Sequence, residues 1–320
     1  MKRVLVVGGA GYIGAHVSLL LQESGYKVRI FDDFSNGLER RVKGIFEDVI
    51  IGDVLDRDAL VSSMEDVDSV IHLAAKKAVG ESVSNPLKYY ANNVGGILNL
   101  LGAMSYRGVK KIVFSSTAAV YAPSEKSAIE ESDPVIPLSP YGETKLLSEK
   151  LISKVAEAED FSAISLRYFN VVGSSRPEFG DNSKDNLVPK VFAAYKDSRR
   201  PEIYGDDYPT KDGTCIRDYI HVGDLAEAHL LALKAIESKR IDEVYNVGSG
   251  SGYSVKEMIE QISITMGVDL NPLIVGRRDG DSPQLISSIT KIERDLGWKP
   301  RSNLKEMIDS SWEAEKALSQ

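Results

Sequence analysis

The sequence predicts an α/β protein: a Rossmann-type doubly wound parallel sheet with a smaller, discontinuous C-terminal α/β lobe. Three observations indicate this fold class. Short apolar runs alternate with amphipathic segments through the first half of the chain, which is typical of a parallel sheet covered by helices on both faces. A glycine-rich turn follows the first apolar run. Beyond Gly173 the alternation gives way to polar, turn-rich stretches, which favours a second and smaller lobe.

The first elements follow in regular order. The runs RVLVV, KVRIF, DVIIGDV and SVIHLAA predict the first four strands, because each is short and apolar. The segment YIGAHVSLLLQESG predicts a helix that ends near Gly25, since glycine commonly follows a helix C-terminus. A long helix is predicted for NNVGGILNLLGAMSYRG.

The next elements complete the predicted sheet. KKIVFSSTAAVY and FSAISLRYFNVVG predict the fifth and sixth strands. Between them, SPYGETKLLSEKLISKVAEAE predicts a helix opened by Ser139 and Pro140 in the cap and first-turn positions. Because crossovers between parallel strands are right-handed, the carboxyl ends of the strands meet at one edge of the sheet, where ligands bind in such folds.

The later segments predict how the two lobes divide the chain. RDYIHVGDLAEAHLLALKAI and VYNVGSG indicate a return to the main sheet after the polar stretches. We therefore expect a Rossmann domain from residues 1–172 and about 218–248, and a smaller lobe from residues 173–217 and 249–320.

Composition excludes several classes of function. The 320 residues carry 42% hydrophobic and 27% charged residues, which is ordinary for a globular protein, and the net charge of −8 argues against a general nucleic-acid or anionic-membrane surface. The single cysteine, Cys215, rules out a disulfide within the chain and a cysteine zinc cluster, so no metal site is predicted. The N-terminal apolar run is too short for a signal peptide, and no run reaches the ~18 apolar residues of a membrane span. We expect a cytoplasmic enzyme or binding protein.

A dinucleotide site is predicted at the first strand–helix turn. The segment GGAGYIG places Gly8, Gly11 and Gly14 in a G-x-x-G-x-x-G array between a strand and a helix. Glycine permits the sharp turn and lets backbone N–H groups approach a pyrophosphate at the helix N-terminus, where the helix dipole favours an anion. A tight structural turn is the alternative interpretation.

Acidic residues after the next two strands support this site. Asp32 ends the second strand about twenty residues beyond the glycines, where an acid hydrogen-bonds the adenosine ribose. A carboxylate there repels a 2′-phosphate, which favours NAD over NADP. Asp33 and Asn36 are candidates to share this role. Asp53, after the third strand, is placed either to meet the adenine edge or to act as a cap.

A reactive centre is predicted at the fifth strand and the helix that follows it. Thr117 lies near the carboxyl end of the strand, and Tyr141 and Lys145 lie one turn apart on one face of the helix. A phenol of pKa ~10 is a poor base at neutral pH. A nearby ammonium and a positively charged nicotinamide ring would both lower that pKa, so that Tyr141 could accept a proton from a substrate alcohol. The alternative interpretation is non-catalytic: a tyrosine packed in the core beside a solvated lysine.

Eight segments share residues and spacing with a known family: GGAGYIG, HLAAKKAVGESV, YYANNVGG, FSSTAAVY, SPYGETK, LRYFNVVG, DYPTKDGTCIRDYIHV and RRDGDSP. From the first strand to near residue 300, the chain resembles the extended short-chain dehydrogenase/reductases of the NAD-dependent epimerase/dehydratase family, and specifically the UDP-glucose 4-epimerases. The resemblance implies a bound NAD that is not consumed and a UDP-hexose substrate. It also implies oxidation at sugar C4 to a 4-keto intermediate, which turns and is reduced on its other face. A homodimer through a four-helix bundle is implied as well.

The resemblance assigns roles residue by residue. Tyr141 corresponds to the catalytic base and acid, Lys145 to the residue that tunes it and holds the nicotinamide ribose, and Thr117 to a position that is usually serine. Further positions that contact the cofactor correspond to Tyr12, Ile13, Val54, Leu73, Ala74, Lys77, Asn92 and Phe169. Positions that hold the UDP-sugar, besides Thr117 and Tyr141, correspond to Lys77, Asn170, Asn186, Leu187, Tyr204, Arg217, Arg278, Asp281 and Leu285.

Particular residues bear on specificity and on the alternatives. Leu285 stands where enzymes restricted to non-acetylated sugars carry tyrosine, which predicts room for an N-acetyl group. Ala118 and Ala119 follow Thr117 where a 4,6-dehydratase needs an Asp-Glu pair, which argues against dehydration. A uronate epimerase, a decarboxylase and a non-catalytic NAD-sensing protein remain alternatives.

Overall fold

The predicted alternation of strands and helices is present in the structure, a computed structural model that describes residues 1–122, 124, 126–278 and 280–318. The strands are β1 (Arg3–Val7), β2 (Lys27–Asp32), β3 (Asp48–Ile51), β4 (Ser69–His72), β5 (Lys111–Thr117), β6 (Ser162–Tyr168), β7 (Asn170–Val172), β8 (Glu202–Tyr204), β9 (Ile216–His221), β10 (Asp242–Val247), β11 (Gly252–Ser254), β12 (Leu273–Val275) and β13 (Gln284–Leu285). The α-helices are α1 (Tyr12–Glu23), α2 (Arg57–Ser63), α3 (Val79–Ser84), α4 (Pro86–Tyr89), α5 (Gly95–Arg107), α6 (Pro140–Glu159), α7 (Leu187–Lys196), α8 (Val222–Ser238), α9 (Val255–Met266), α10 (Thr290–Leu296) and α11 (Leu304–Leu318).

The main sheet confirms the predicted fold class. Within the described residues it has seven strands in the order β10-β6-β5-β4-β1-β2-β3, and the pairs from β3 across to β6 are parallel. The strand order reverses at β1, so β1 and β4 flank the switch point at which ligands bind in doubly wound sheets. The glycine turn and the end of β4 therefore lie at the same edge of the sheet.

Apolar side chains on both faces of the strands account for this sheet. Leu5, Phe31, Val70, Ile112 and Phe114 are buried in one cluster with the inner faces of α2, α5 and α6. Near-continuous burial along β1, β4 and β5 is the pattern of strands covered on both sides. The result is a rigid sheet whose carboxyl edge carries the polar residues.

Local signals at the helix ends set where α5 and α6 begin and end. Ser139 caps α6 by accepting a hydrogen bond from the Gly142 amide at 3.2 Å, and Pro140 occupies the first turn. The five residues Tyr90–Val94 form a π-helical turn that leads into α5, and α5 ends at Gly108 with φ of 71°.

The chain divides into two compact units. The first comprises residues 1–122, 134–168 and 226–245, and the second comprises the described residues of the ranges 123–133, 169–225 and 246–320. In the second unit, β9 pairs with β7, β11 and β13, and β8 pairs with β12. A separate apolar core that includes Val191, Ile203, Met258 and Met307 holds this unit together.

Two sequence predictions about strands are wrong in detail. The predicted sixth strand is two strands, because β6 pairs with β5 only as far as Tyr168 and β7 pairs with β9 from Asn170 onward. The segment RDYIHV was expected in the main sheet, but it forms β9 in the second unit. Hydrophobic periodicity identifies an extended segment without identifying its partner strand. β10, from the segment VYNVGSG, does return to the main sheet beside β6.

The helices bear on a membrane location. Over the described ranges, no helix has both the length and the apolar character required to cross a bilayer.

Candidate active site

The glycine turn after β1 is shaped by two close backbone approaches. Gly8 has φ of +87°, and a Cβ there would lie 2.6 Å from the Ala74 amide nitrogen. A Cβ on Gly14 would lie 2.1 Å from the Gly8 carbonyl oxygen. Gly11 occupies the N-cap position of α1 and offers no side-chain cap. The turn therefore leaves a bare backbone cradle at a helix N-terminus, which fits a pyrophosphate.

Asp32 is tied to this turn by two backbone hydrogen bonds. Its carboxylate accepts from the Ala10 amide at 2.9 Å and from the Phe34 amide at 2.8 Å. Burial raises the pKa of Asp32, and the two backbone hydrogen bonds oppose that rise. The carboxylate thus orders the loops on both sides of the predicted ribose position.

The other predicted residues near the glycine turn lie around the same edge. Tyr12 and Ile13 form the first turn of α1. The amides of Leu73 and Ala74, just after β4, both donate to the Val7 carbonyl, at 2.8 and 3.0 Å. These contacts bring the ends of β1 and β4 together beside the cradle, as a dinucleotide crevice requires.

The remaining predicted cofactor residues differ in their surroundings. The Asp33 carboxylate accepts from the Ser35 amide at 2.8 Å, and the Asp53 carboxylate accepts from the Leu55 amide at 2.9 Å, so both make local turn contacts. Val54 is buried, and Asn36 and Lys77 are exposed. Asn92 lies in the π-helical turn and donates to the Asn93 side chain at 3.1 Å. Phe169 opens the range 169–225 of the second unit, and its amide donates to the Val247 carbonyl.

The structure brings the predicted reactive residues together in the first unit. Tyr141, Lys145 and Thr117 are buried, with exposed fractions of 7%, 3% and 8%. The Thr117 hydroxyl lies close enough to the Tyr141 phenol to lower the phenol pKa. The Lys145 Nζ donates to the Ser115 carbonyl at 2.7 Å and lies 4.8 Å from the centre of the Phe114 ring. The alternative of a solvated lysine is therefore excluded.

The ionisation of this centre differs from the prediction. Burial raises the pKa of Tyr141 to about 12, although the Thr117 hydroxyl opposes the rise. Burial lowers the pKa of Lys145 to about 7, while the Glu149 carboxylate acts in the opposite direction. For the protein's own groups, the predicted lowering of the phenol pKa is wrong. Burial removes the hydration of the charged form of each group, and this destabilises that form by more than the neighbouring residues stabilise it.

His72 is a buried neighbour that sequence reasoning missed. It lies at the end of β4, and its ring stacks on Phe114 with the ring centres 5.8 Å apart. Burial, and then the nearby Lys145, lower the pKa of His72 to about 3. Its Nδ1 has no hydrogen-bond partner within the described residues. A histidine ending a strand at the ligand edge was the available signal.

Two more buried residues support the reactive centre from below. The Ser115 hydroxyl lies 2.9 Å from Nε2 of His229 and close enough to the Tyr168 phenol to act on its pKa. Burial, and then the neighbouring Tyr141, raise the pKa of Tyr168. Sequence alone gave no signal for this contact, because His229 is more than a hundred residues from Ser115.

In the second unit, Arg217 is held in a defined position. Its guanidinium donates to the Ser282 carbonyl at 2.8 Å and to the Asp281 carboxylate at 3.1 Å. Leu285 is paired with Arg217 in the register of β13 and β9. The structure therefore brings three predicted substrate residues into one cluster.

Two other predicted substrate residues, Arg278 and Tyr204, stack on each other. The Arg278 guanidinium lies 3.7 Å from the centre of the Tyr204 ring, and the Tyr204 hydroxyl donates to Glu202 at 2.6 Å. This is cation–π geometry, which leaves the edges of the guanidinium for anionic oxygens. Asp279, in the same RRDGDSP segment, lies outside the described residues.

The last predicted substrate residues make contacts of their own within the second unit. Asn186 is the N-cap residue of α7, where its side chain donates to Asp181 at 2.6 Å, and Leu187 opens the helix. Asn170 donates to the Asp218 carbonyl at 3.0 Å. No group of three or more potential metal ligands occurs among the residues that the structure describes.

Comparison with known proteins gives consistent matches over the whole chain. A family model described as "NAD dependent epimerase/dehydratase family" matches residues 4–248. The UDP-glucose 4-epimerase of Halalkalibacterium halodurans is 43% identical over 318 residues, which cover 97% of this chain and 94% of that protein.

Solved structures match the fold just as closely. UDP-glucose-4-epimerase from Stenotrophomonas maltophila, with bound NAD and formylated UDP-arabinopyranose, has a TM-score of 0.95 and 38% identity, covering 100% of this chain and 99% of that one. The UDP-Glc/GlcNAc 4-epimerase from Campylobacter jejuni has a TM-score of 0.88 and 36% identity, covering 99% of both chains.

Proposed function

Because the chain belongs to the NAD-dependent epimerase/dehydratase family, we propose that it is an enzyme that interconverts UDP-glucose and UDP-galactose by inverting sugar C4. The observation that carries this proposal is the buried hydroxyl–phenol–ammonium set of Thr117, Tyr141 and Lys145 in the unit that holds the glycine cradle. Burial of an ammonium without a carboxylate bonded to it destabilises the fold, so a purely structural role does not explain this arrangement.

The cradle fits NAD as the cofactor. Cβ atoms at Gly8 and Gly14 would clash with the backbone that forms it, and the Asp32 carboxylate would meet a ribose hydroxyl but repel a 2′-phosphate. When bound, NAD accepts hydride from sugar C4 and returns it to the other face of the 4-keto sugar. We assign the first unit as the NAD-binding domain, with Tyr12, Ile13, Leu73, Asn92 and their neighbours at its edge.

Tyr141 handles the proton of the 4-hydroxyl group. Its phenolate would accept that proton during oxidation, and the phenol would give it back during reduction. Thr117, whose hydroxyl lies beside the phenol, would hold the same oxygen. The burial that raises the phenol pKa also keeps water away from the reacting atoms, so the positive charge that favours phenolate must come from Lys145 and from the cofactor ring.

The second unit carries donors suited to a nucleoside diphosphate. Arg217 and Arg278 present guanidinium groups fixed by Asp281 and by the Tyr204 ring, and a guanidinium pairs with phosphate oxygens in a fixed fork. The N-terminus of α7, at Asn186, favours an anion through the helix dipole. We assign this unit as the UDP-sugar-binding lobe, with Asn170 and Leu187 in supporting contacts.

Leu285 supports acceptance of N-acetylated sugars as well. A leucine at this position is smaller than the tyrosine of enzymes restricted to plain sugars, and the Campylobacter jejuni relative is described as acting on UDP-Glc and UDP-GlcNAc. The variant Leu285→Tyr should lose turnover of UDP-N-acetylglucosamine at least tenfold while keeping UDP-galactose turnover within about threefold, since overpacking costs about 1–3 kcal/mol. Equal loss on both sugars would refute this role.

We also propose a homodimer formed through α5 and α6. Leu98 and Tyr106 on α5 are 53% and 72% exposed, and they lie eight residues apart on similar faces of the helix, where a partner subunit would cover both. Sedimentation should give twice the chain mass for the wild type and a monomer for Leu98→Glu. The exposed Ile264 of α9 supplies the control, because Ile264→Glu should leave the mass of the assembly unchanged.

The central test is turnover with and without the phenol. Purified protein should convert UDP-galactose to UDP-glucose, and Tyr141→Phe should reduce the rate by about a hundredfold or more while bound NAD is retained. Tyr195→Phe, at a half-exposed tyrosine, is the matched control. A wild-type protein that binds NAD but turns over no UDP-hexose would instead indicate the non-catalytic alternative.

A further inference from the structure

A buried hydrogen-bond network adjoins the reactive centre, and none of the catalytic steps proposed above uses it. The Arg167 guanidinium donates to both oxygens of Glu149, with Nε–Oε1 at 2.9 Å and Nη2–Oε2 at 2.6 Å. The Ser116 hydroxyl also donates to Glu149. Arg167 donates in addition to the Tyr121 phenol at 3.0 Å. Glu149 and Arg167 are both 6% exposed, so the pair is enclosed by protein.

This network joins the elements that carry the reacting groups. Ser116 adjoins Thr117 at the end of β5, Arg167 lies in β6, and Glu149 lies in α6. Tyr141, Lys145 and Glu149 follow one another at four-residue intervals, so they share one face of that helix. A displacement of the Glu149 carboxylate would therefore be transmitted through Ser116 to the end of β5 that carries Thr117, and along α6 to Lys145.

Glu149 is also the acidic neighbour of an otherwise uncompensated ammonium. The Lys145 Nζ is bonded to the Ser115 carbonyl, and the titratable groups that interact with it are His72 from β4 and Glu149 from its own helix. Burial keeps His72 neutral, so the negative charge comes from Glu149. Arg167, from β6, faces Glu149 and limits how much of that charge reaches the lysine.

We propose that Glu149 is a positioning residue for the reaction, whose carboxylate, clamped by Arg167, favours the charged form of the Lys145 ammonium one helical turn away. This inference rests on the proposed epimerase function, because it assigns to Glu149 the task of keeping Lys145 cationic while Tyr141 exchanges its proton. Glu149 touches neither sugar nor cofactor, and it acts through the lysine.

The test compares the pH profile of kcat in full-length, NAD-loaded variants. In Glu149→Gln the shape of the side chain remains but its charge is lost, so Lys145 should lose its proton at lower pH. We expect the alkaline limb of kcat to move down by about one pH unit or more, as charges one helical turn apart interact strongly at low dielectric. At pH 8.5 this corresponds to at least about a tenfold loss of kcat, with KM changed by less than about threefold.

Two further variants separate charge from structure. Tyr121→Phe removes one hydrogen bond of Arg167 but no charge, so it should leave the alkaline limb in place even if stability falls. The double variant Glu149→Gln/Arg167→Gln removes both charges, and its limb should lie between those of the wild type and of Glu149→Gln. If Glu149→Gln does not fold, the double variant still tests the proposal, because the alkaline limb of its kcat must lie at lower pH than that of the wild type.

A second readout does not depend on activity. The unfolding free energy of each variant, measured in urea from pH 5 to 9, should begin to rise at lower pH in Glu149→Gln than in the wild type, because the folded lysine releases its proton earlier. An unmoved kcat limb together with an unmoved onset of this rise would overturn the proposal. Absence of epimerase turnover in the wild type would instead refute the proposed function and leave the urea series to decide the role of Glu149.

Discussion

The buried ammonium of Lys145 should leave a measurable mark on stability. Its pKa falls from 10.5 to about 7 on folding, mainly because of burial. At about 1.4 kcal/mol for each pKa unit, the charged lysine costs the folded chain about 5 kcal/mol relative to the neutral one. Between pH 7 and 10.5 the unfolded chain holds a proton that the folded chain has released. The unfolding free energy therefore rises with pH in this window.

Replacing the lysine with methionine isolates this cost. Lys145→Met keeps most of the length of the side chain but carries no proton, so between pH 7 and 9 the wild type should gain about 2 kcal/mol of stability relative to the variant. Loss of the hydrogen bond to the Ser115 carbonyl lowers the stability of the variant at every pH and does not affect this difference.

Urea unfolding at half-unit pH steps, with the NAD content measured and matched, provides the assay. Lys150→Met, at an exposed lysine of the same helix, is the control and should follow the wild-type pH dependence. If wild type and Lys145→Met keep a constant difference from pH 6 to 9, Lys145 does not change its charge in this window. The account of a costly buried ammonium would then be wrong.

Two further perturbations test the surroundings of this centre. Between pH 6.5 and 5 the wild type should lose about 2 kcal/mol of unfolding free energy, because the unfolded chain protonates His72 while the folded chain, in which the pKa of His72 is lowered to about 3, does not. His72→Phe should remove this loss. Equal acid sensitivity of the two proteins in urea unfolding would contradict this. Gly14→Ala should lose bound NAD and about 1–3 kcal/mol of stability, because its Cβ would lie 2.1 Å from the Gly8 carbonyl. Gly80→Ala, where nothing lies within 4 Å, should instead be neutral or slightly stabilising, so similar thermal melts for the two alanine variants would refute the packing argument.

Much of the fold could be predicted because its signals are local. The glycine spacing, the apolar strands and the Ser139–Pro140 cap each act within a few residues, and each appears in the structure where the sequence places it. The partner of a strand is not a local property. The sequence of β9 predicts a strand of the main sheet, yet β9 pairs with β7, β11 and β13, since an apolar extended segment does not identify its own partner.

The candidate site shows the same division. Helical periodicity placed Tyr141 and Lys145 on one face of α6, and the structure places them there. With the protein's own groups alone the pKa of the phenol is raised, because it depends on how completely β5 and its neighbours exclude water from both groups, and its lowering beside a nicotinamide ring stays a prediction. The pairing of Glu149 with Arg167 depends on the packing of α6 against β6, and periodicity alone does not supply it.

These ionisations bear on how the chain would use its cofactor. Left to its own groups, the centre favours a neutral phenol and a lysine that is readily deprotonated, so neither reactive form is built permanently into the fold. A permanent phenolate and ammonium would each carry the cost of a buried charge whether or not ligands were bound. The positive charge of a bound nicotinamide ring can instead stabilise the phenolate, and by linkage the phenolate then tightens binding of the oxidised cofactor. Activation of Tyr141 and retention of oxidised NAD are then two consequences of one electrostatic coupling.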